Sequence, residues 1–326
     1  MSTAVLFDRY GTSDELYGAD VPVPTPAPGE VVVRYTAIGV NPIDWKLLGG
    51  GLRDLVPMDL PGACLGVEAA GVVVDVGPGV RRFQVGDAVI RHGRPGTYRQ
   101  YEAVPAAQEA DELTPQPGRF SAEQAAVLPV AAGTAYSALV QVGLRAGERL
   151  LVHGASGGVG LAAVQLARLI GAEVIGTASA QHHLLLRRLG ATPVAYGDGL
   201  LGRLAPLGPF DASVDCAGGP QPTETAAELV RSRARRVTVA WDPGAPAGDV
   251  PHLEHVPLEL ASTLDLIGHS AFELPVAARF PLPQAAEALD LGRKGGLGGK
   301  IVLLPGAAAP TDRLLSPSPH GTGPAS

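Results

Sequence analysis

Arg149-Leu150-Leu151-Val152-His153-Gly154-Ala155-Ser156-Gly157-Gly158-Val159-Gly160 is the stretch on which the reading of this chain turns. The first five residues form a short apolar strand. Residues 159–170 then carry apolar side chains all round, as a buried helix does. Between them, Ala155, Gly157 and Gly160 fill the three spaced small positions of a G-x-G-x-x-G turn, with Ala in the first. Each position has a steric reason. The turn is tight, the backbone must come close to a pyrophosphate, and the last glycine lets helix and strand pack closely. The helix presents unpaired N–H groups and its positive end at that point, so the expected ligand is a dinucleotide.

Working outward, strand and helix patterns alternate. A strand at 173–177 is followed by a helix at 181–189, and strands follow at 193–196, 211–215 and 235–240, with a helix at 222–230. This alternation predicts a doubly wound parallel sheet with helices on both faces, an α/β fold. Ahead of it, Ser121 is placed to cap a helix. The first 118 residues read differently: short β-branched runs at 4–7, 31–38, 69–76 and 85–90 are punctuated by Pro and Gly, as in a compact barrel or sandwich. The predicted organisation is a β-rich part at 1–118, an inserted α/β domain at 119–270 and a return at 271–305 that completes the first part. Residues 306–326, rich in Pro, Ser, Gly and Ala, read as a disordered tail.

The strand after the turn bears on the choice of nucleotide. Domains built for NAD usually end this strand with an acid that binds the ribose hydroxyls and repels a 2′-phosphate. Here it ends Gly176-Thr177-Ala178-Ser179-Ala180, with no acid, and His182, His183, Arg187 and Arg188 follow. A hydroxyl with cations nearby favours NADPH, although the two arginines read as a solvated helix face. Composition excludes other classes. The 326 residues carry a net charge of −7 with no long basic run, so a nucleic-acid partner is not expected. No leader pattern opens the chain and no run of about 18 apolar residues crosses a membrane, so the expected setting is soluble and cytoplasmic. Cys64 and Cys216 cannot make a disulfide framework or a cysteine zinc cluster.

Several further segments resemble, in order, the zinc-independent quinone oxidoreductase branch of the medium-chain dehydrogenase/reductase superfamily. They are Gly39-Val40-Asn41-Pro42-Ile43-Asp44-Trp45-Lys46, Gly66-Val67-Glu68-Ala69-Ala70-Gly71-Val72-Val73, Val85-Gly86-Asp87-Ala88-Val89 and Leu128-Pro129-Val130-Ala131-Ala132-Gly133-Thr134-Ala135-Tyr136. Leu189-Gly190-Ala191, the stretch 211–219 and Gly299-Lys300-Ile301-Val302-Leu303 follow. The resemblance covers about residues 1–305. It implies a GroES-like catalytic domain split around a Rossmann domain, with the active site in the cleft between them. It also implies NADPH-dependent reduction of a quinone or α,β-unsaturated carbonyl, and a homodimer.

Carried over by position, the resemblance places Asn41 and Asp44 in the cleft loop beside the nicotinamide, and Thr134 where a hydroxyl meets the cofactor. Ser156, Gly157, Gly158 and Val159 border the pyrophosphate, Ser179 and Tyr196 the adenosine 2′-phosphate, and Lys300 the end of the cleft. Many relatives have a lysine where this chain has Gln181, which weakens the preference for NADPH. Each position also has a structural reading. Asn41-Pro42 shapes a turn, Asp44 or Thr134 caps a helix, Tyr196 and Lys300 end strands, and Glu68 is a buried acid paired with an arginine. Tyr98, Tyr101 and Tyr136 are candidate proton donors, Tyr98 first among them as a catalytic residue.

No metal is expected. Zinc-dependent relatives have a cysteine near Asn41, a histidine beside Glu68 and a four-cysteine lobe, where this chain has Val40, Val67 and no lobe. His252 and His255 read as surface histidines without a third ligand. Hydride transfer to an already electrophilic conjugated carbonyl then suits the site better than alcohol oxidation. The basic segment 91–100 points either to an anionic substrate or to a solvated loop. Two other functions stay open: a tailoring enzyme acting on a polyketide-like intermediate, by reduction or by cyclisation, and a non-catalytic NADPH-binding sensor.

Overall fold

The computed structural model describes residues 1–107, 112–240, 250–254 and 260–306. Strand β1 (Ser2–Phe7) pairs antiparallel with β2 (Tyr17–Val21). The long β3 (Glu30–Val40) follows, and its β-branched residues are buried over most of its length. Helix α1 (Pro42–Leu48) leaves β3 directly, with Pro42 at the first helical position, where a missing N–H costs nothing. Then come β4 (Ala63–Cys64), β5 (Glu68–Val76), β6 (Ala88–His92), β7 (Tyr101–Pro105) and β8 (Leu113–Pro115). Strand β4 joins β1 and β2 in a three-stranded sheet. Strands β3, β5, β6, β7 and β8 belong to a seven-stranded sheet.

The second part begins with α2 (Ala122–Ala125), where the Ser121 hydroxyl accepts the Gln124 N–H at 3.3 Å as the predicted cap. Helix α3 (Leu128–Gln141) leads to β9 (Arg149–His153), α4 (Gly158–Ile170), β10 (Glu173–Ala178) and α5 (His183–Arg188). After these come β11 (Ala191–Ala195), α6 (Leu200–Leu204), β12 (Ala212–Asp215), α7 (Pro220–Leu229) and β13 (Arg236–Thr238). The five strands form one sheet in the order β11-β10-β9-β12-β13, every neighbour parallel. The chain winds one way from β9 through β10 to β11, then crosses back to β12 on the other side of β9. That reversal opens a crevice at the carboxyl ends of β9 and β12, where ligands bind in open parallel sheets.

Helix α8 (Leu260–Gly268) packs on α3. Strand β14 (Val276–Pro281), helix α9 (Ala285–Lys294) and strand β15 (Lys300–Leu304) end the described chain. Strand β14 runs parallel to β15, and β15 pairs antiparallel with β3, Ile301 against Val40 and Leu303 against Ile38. One edge of β3 is thus shared between β7 at its start and β15 at its end, while β5 covers the other. Residues 307–326, the greater part of the predicted tail, lie outside the described residues.

Two larger apolar cores hold these parts, and a third lies around Leu151, Ile175, Leu204 and Phe210. One is built on β3, β5, α1 and α9, with Val33, Tyr35, Ile38 and Leu289 buried. The other joins α3, α4 and the parallel sheet. Its facing helix residues are small (Ala131, Ala135, Ala138, Ala162 and Ala163), so α3 and α4 approach closely without voids.

Candidate active site

The glycine turn has the geometry its spacing demands. Gly154 sits at φ +68°, a backbone that an L-residue adopts only under strain. A Cβ on Gly160 would stand 2.3 Å from the Gly154 carbonyl oxygen and 2.7 Å from Ala155 Cα, so only glycine lets α4 lie this close to β9. Gly157, the N-cap of α4, is exposed in extended backbone, and a Cβ there would meet only the Gly154 oxygen, at 3.5 Å. No side chain caps the helix. The amides at the start of a 13-residue helix therefore face an open cradle, which a diphosphate fits. Ala155 and Gly160 shape the turn without bordering that cradle. Ala155 is fully buried and its N–H donates to the Thr177 carbonyl at 2.9 Å, while Gly160 is buried against Gly154 and Ala155.

Across the crevice, Asp215 fixes the loop after β12. Its Oδ1 accepts the N–H groups of Ala217 and Gly218 at 2.8 and 2.9 Å, and its Oδ2 accepts the Thr238 hydroxyl at 2.9 Å. Ser179 and Tyr196 follow Ala178 and Ala195, which are register partners on adjacent strands, so the two lie side by side at one end of the sheet. Ser179 is half-buried and Tyr196 is 60% exposed. Three of the four cations expected beside them are engaged elsewhere. His182 and Gln181 reach the Gly296 carbonyl, His183 reaches the Ala178 carbonyl, and Arg188 pairs with Glu273 at 2.6 Å. What still supports a 2′-phosphate is the missing acid, together with Ser179 and Tyr196.

The cleft loop is held by two buried carboxylates. Glu68 Oε1 accepts the Asn41 side-chain amide at 2.8 Å and the Lys300 ammonium at 3.1 Å, and Glu68 Oε2 accepts the Val130 N–H at the start of α3 at 2.7 Å. Lys300 also donates to Asn41 Oδ1. The partner of Glu68 is thus a lysine from the last strand, where the sequence suggested an arginine. A Cβ on Gly158 would lie 2.6 Å from Lys300 Cδ, so this side chain rests over the first turn of α4. Asp44 is fully buried and accepts the N–H groups of Asn41 and Gly66 at 2.8 and 3.2 Å and the Tyr98 hydroxyl at 3.1 Å. Burial pushes its carboxyl up to about 7, against the lowering effect of the Asn41 amide and the Tyr98 hydroxyl.

These contacts revise two expectations. Asp44 and Tyr98 are both fully buried and neither lines the cleft, so they position the Asn41 loop and do not meet the reacting atoms. Burial, and then Asp44, push the Tyr98 phenol well above its ordinary value, and its hydroxyl is engaged by Asp44. Tyr101 and Tyr136 do not line the cleft either.

A cavity of about 950 Å³ opens between the two parts of the chain. Asn41, Ile43 and Val67 line it from the first part, Thr134, Val159 and Val239 from the second. Among the described residues its walls are mostly aliphatic and carry no acid. The sequence reading missed His92 and His252, which both line it. The prediction of a surface position for His252 is therefore corrected, and His255 lies outside the described residues. Of the basic segment 91–100, only His92 and Gly93 reach the cavity. Arg91 is fully buried against Glu102 at 3.0 Å, and Arg94 pairs with Glu112 at 2.8 Å. Arg91 is thus an internal ion-pair partner, while Gly93 and Arg94 lie at the surface. Among the described residues, no three His, Cys, Asp or Glu side chains come together in a group that could hold a metal ion.

The fold and this cleft define an oxidoreductase with a GroES-like part and a dinucleotide-binding part. Comparison with known proteins agrees. Residues 27–115 match the alcohol dehydrogenase GroES-like domain, and residues 158–264 match the zinc-binding dehydrogenase domain. The chain is 31% identical to the chloroplast envelope quinone oxidoreductase homolog of Arabidopsis thaliana over 93% of its own length and 98% of that protein's. It is 38% identical to the chloroplastic quinone-oxidoreductase homolog of Spinacia oleracea over 59% of this chain, a match that spans 60% of that relative. The quinone oxidoreductase of Coxiella burnetii has the same fold, with a TM-score of 0.78 at 26% identity over 93% of this chain and 99% of that one. The chain belongs to the medium-chain dehydrogenase/reductase superfamily, in its quinone oxidoreductase branch. Its cofactor is accordingly a nicotinamide dinucleotide.

Proposed function

We propose that this protein uses NADPH, without zinc, to reduce a quinone or an α,β-unsaturated carbonyl compound. One observation carries the reading. Among the described residues, the cavity that begins beside the diphosphate cradle is mostly aliphatic and lined by no acid, which suits an apolar molecule that is electrophilic in its own right. When bound, NADPH would supply the hydride. The amides of Gly157, Gly158 and Val159 and the Ser156 hydroxyl would hold its pyrophosphate, Ser179 and Tyr196 its 2′-phosphate, and Thr134 its nicotinamide end. The Glu68–Asn41–Lys300 cluster locks the cleft loop to α3 and to the last strand, so the two walls of the cavity keep a fixed separation. Orientation and exclusion of water then account for the protein's share of the rate. A cytoplasmic homodimer is the assembly that accompanies this reading.

The direct assay follows the near-ultraviolet absorbance of reduced nicotinamide with a panel of quinones, enones and enals. Turnover is expected with NADPH in preference to NADH. Tight NADPH binding with no turnover across the panel would remove the reductase reading and favour the sensor. Light scattering of the purified protein tests the dimer.

A further inference from the structure

The polar side chains that line the cavity are few, and most are already committed. Asn41 is held by Glu68 and Lys300, and Thr238 donates to Asp215. Lys46 has a partner of its own. Thr134 faces the place expected for the nicotinamide. His92, at the end of β6, and His252, which bridges to Thr238 after β13, are what remain among the described residues. Each carries a ring nitrogen shielded from solvent with no hydrogen-bond partner, Nε2 in His92 and Nδ1 in His252. An unmet buried nitrogen is costly, and native proteins keep such groups where a ligand completes them. A half-turn of an imidazole about its last torsion is a soft, two-fold rotation that exchanges the occluded nitrogen with a ring carbon.

We propose that His92 and His252 are the substrate-recognition groups of this cleft, each donating an N–H hydrogen bond to a carbonyl oxygen of the apolar substrate, one from each wall. The assignment rests on the reductase reading for its substrate class. His92 is the electrophile of the pair. Burial, followed by the charges of Arg91 and Arg82, brings its imidazole down to about 4, so at neutral pH it donates as a neutral ring. Triosephosphate isomerase polarises its substrate carbonyl in the same manner, with a neutral histidine. A donor aimed at an oxygen gains strength as negative charge builds there, so His92 favours the transition state over the bound substrate. The aliphatic wall around both rings keeps water from competing.

The test uses His92→Phe, His252→Phe and His92→Gln in the full-length protein loaded with NADP⁺. Binding of acetophenone, which lacks a conjugated alkene, is compared with binding of ethylbenzene, its carbonyl-free counterpart of similar shape. The wild type is expected to prefer the ketone about tenfold, each Phe variant to lose most of that preference, and His92→Gln to keep it. With a quinone and NADPH, His92→Phe should lower kcat/KM by roughly 100-fold with an unchanged Kd for NADPH, which also reports that the variant is folded. A wild type that does not distinguish the two ligands, or Phe variants that still do, would overturn the assignment. Ketone preference that depends on both histidines, in a protein that reduces none of the panel, would keep this site and sink the reductase reading. Normal turnover by His92→Phe would do the reverse.

Discussion

Gly157→Asp separates folding from binding, because the structure predicts opposite signs for the two. Gly157 is the N-cap of α4, with φ −77° and ψ 170°, a backbone that aspartate adopts freely. Its Cβ would meet nothing closer than 3.5 Å. Aspartate caps a helix better than glycine by a few tenths of a kcal/mol and adds about 0.3–1 kcal/mol from the helix dipole. The variant should therefore be as stable as the wild type or more so, by roughly 0.5–1 kcal/mol. Binding should go the other way. The new carboxylate stands in the diphosphate cradle. Against two phosphate charges at about 5 Å the repulsion is about 2 kcal/mol in a water-like medium and about 7 at an effective dielectric constant of 20. Affinity for NADPH should fall at least roughly 15-fold. Urea unfolding gives the first quantity and nicotinamide fluorescence titration the second, with Gly157→Ala as the uncharged control. A variant that binds NADPH within threefold of the wild type would show that the diphosphate does not rest at the start of α4.

Lys300→Met leaves Glu68 buried without a counter-charge and should cost about 3–5 kcal/mol in urea unfolding. Adding Glu68→Gln should recover most of it, and a neutral single variant would show that the pair is not coupled. Ser179→Asp should weaken NADPH far more than NADH in parallel titrations, whereas equal losses would move the 2′-phosphate elsewhere. Stability should rise with pH between about 4 and 6.5. Burial holds His92 and His153 down at about 4 in the folded state, below the usual 6.5, so the unfolded chain binds two more protons in that window. Asp44, raised to about 7, runs the other way and offsets one of them, leaving a net slope of about 1.4 kcal/mol per pH unit. Denaturation at pH 5 and pH 6 measures it, and a flat or falling profile would refute the assignment of the buried groups.

The glycine turn and the alternating strands were legible because their causes are local. Gly160 must lack a Cβ whatever the rest of the chain does, and a strand followed by a capless helix states its own ligand. The oxidoreductase family was legible from short motifs in a fixed order. The environment of those motifs was not. Glu68 meets Lys300 across 232 residues of sequence, and no local pattern announces that pairing. Arg91 and Arg94 look solvated in a linear reading, but β6 and β7 carry Arg91 to Glu102, and the two arginines share Glu112 ahead of β8. Asp44 sits in a motif position and Tyr98 is a tyrosine close to it in the fold, and only their complete burial shows that they stand behind the cleft wall. His92 and His252 gave no signal alone, since a lone histidine has no pattern, and the cavity that unites them is built from both parts of the chain.

The place of β15 beside β3 also sets an order of events during synthesis. Strand β3 can find β5 once the first 76 or so residues have left the ribosome, and the parallel sheet can assemble from its own contiguous segment. The far edge of β3 around Ile38 and Val40 then has nothing to bind until Ile301 and Leu303 emerge. Throughout that interval a nascent chain displays an unsatisfied strand edge, the surface that chaperones shield and that neighbouring polysomal copies can capture. A stop codon placed just before residue 300 would make that passing exposure permanent.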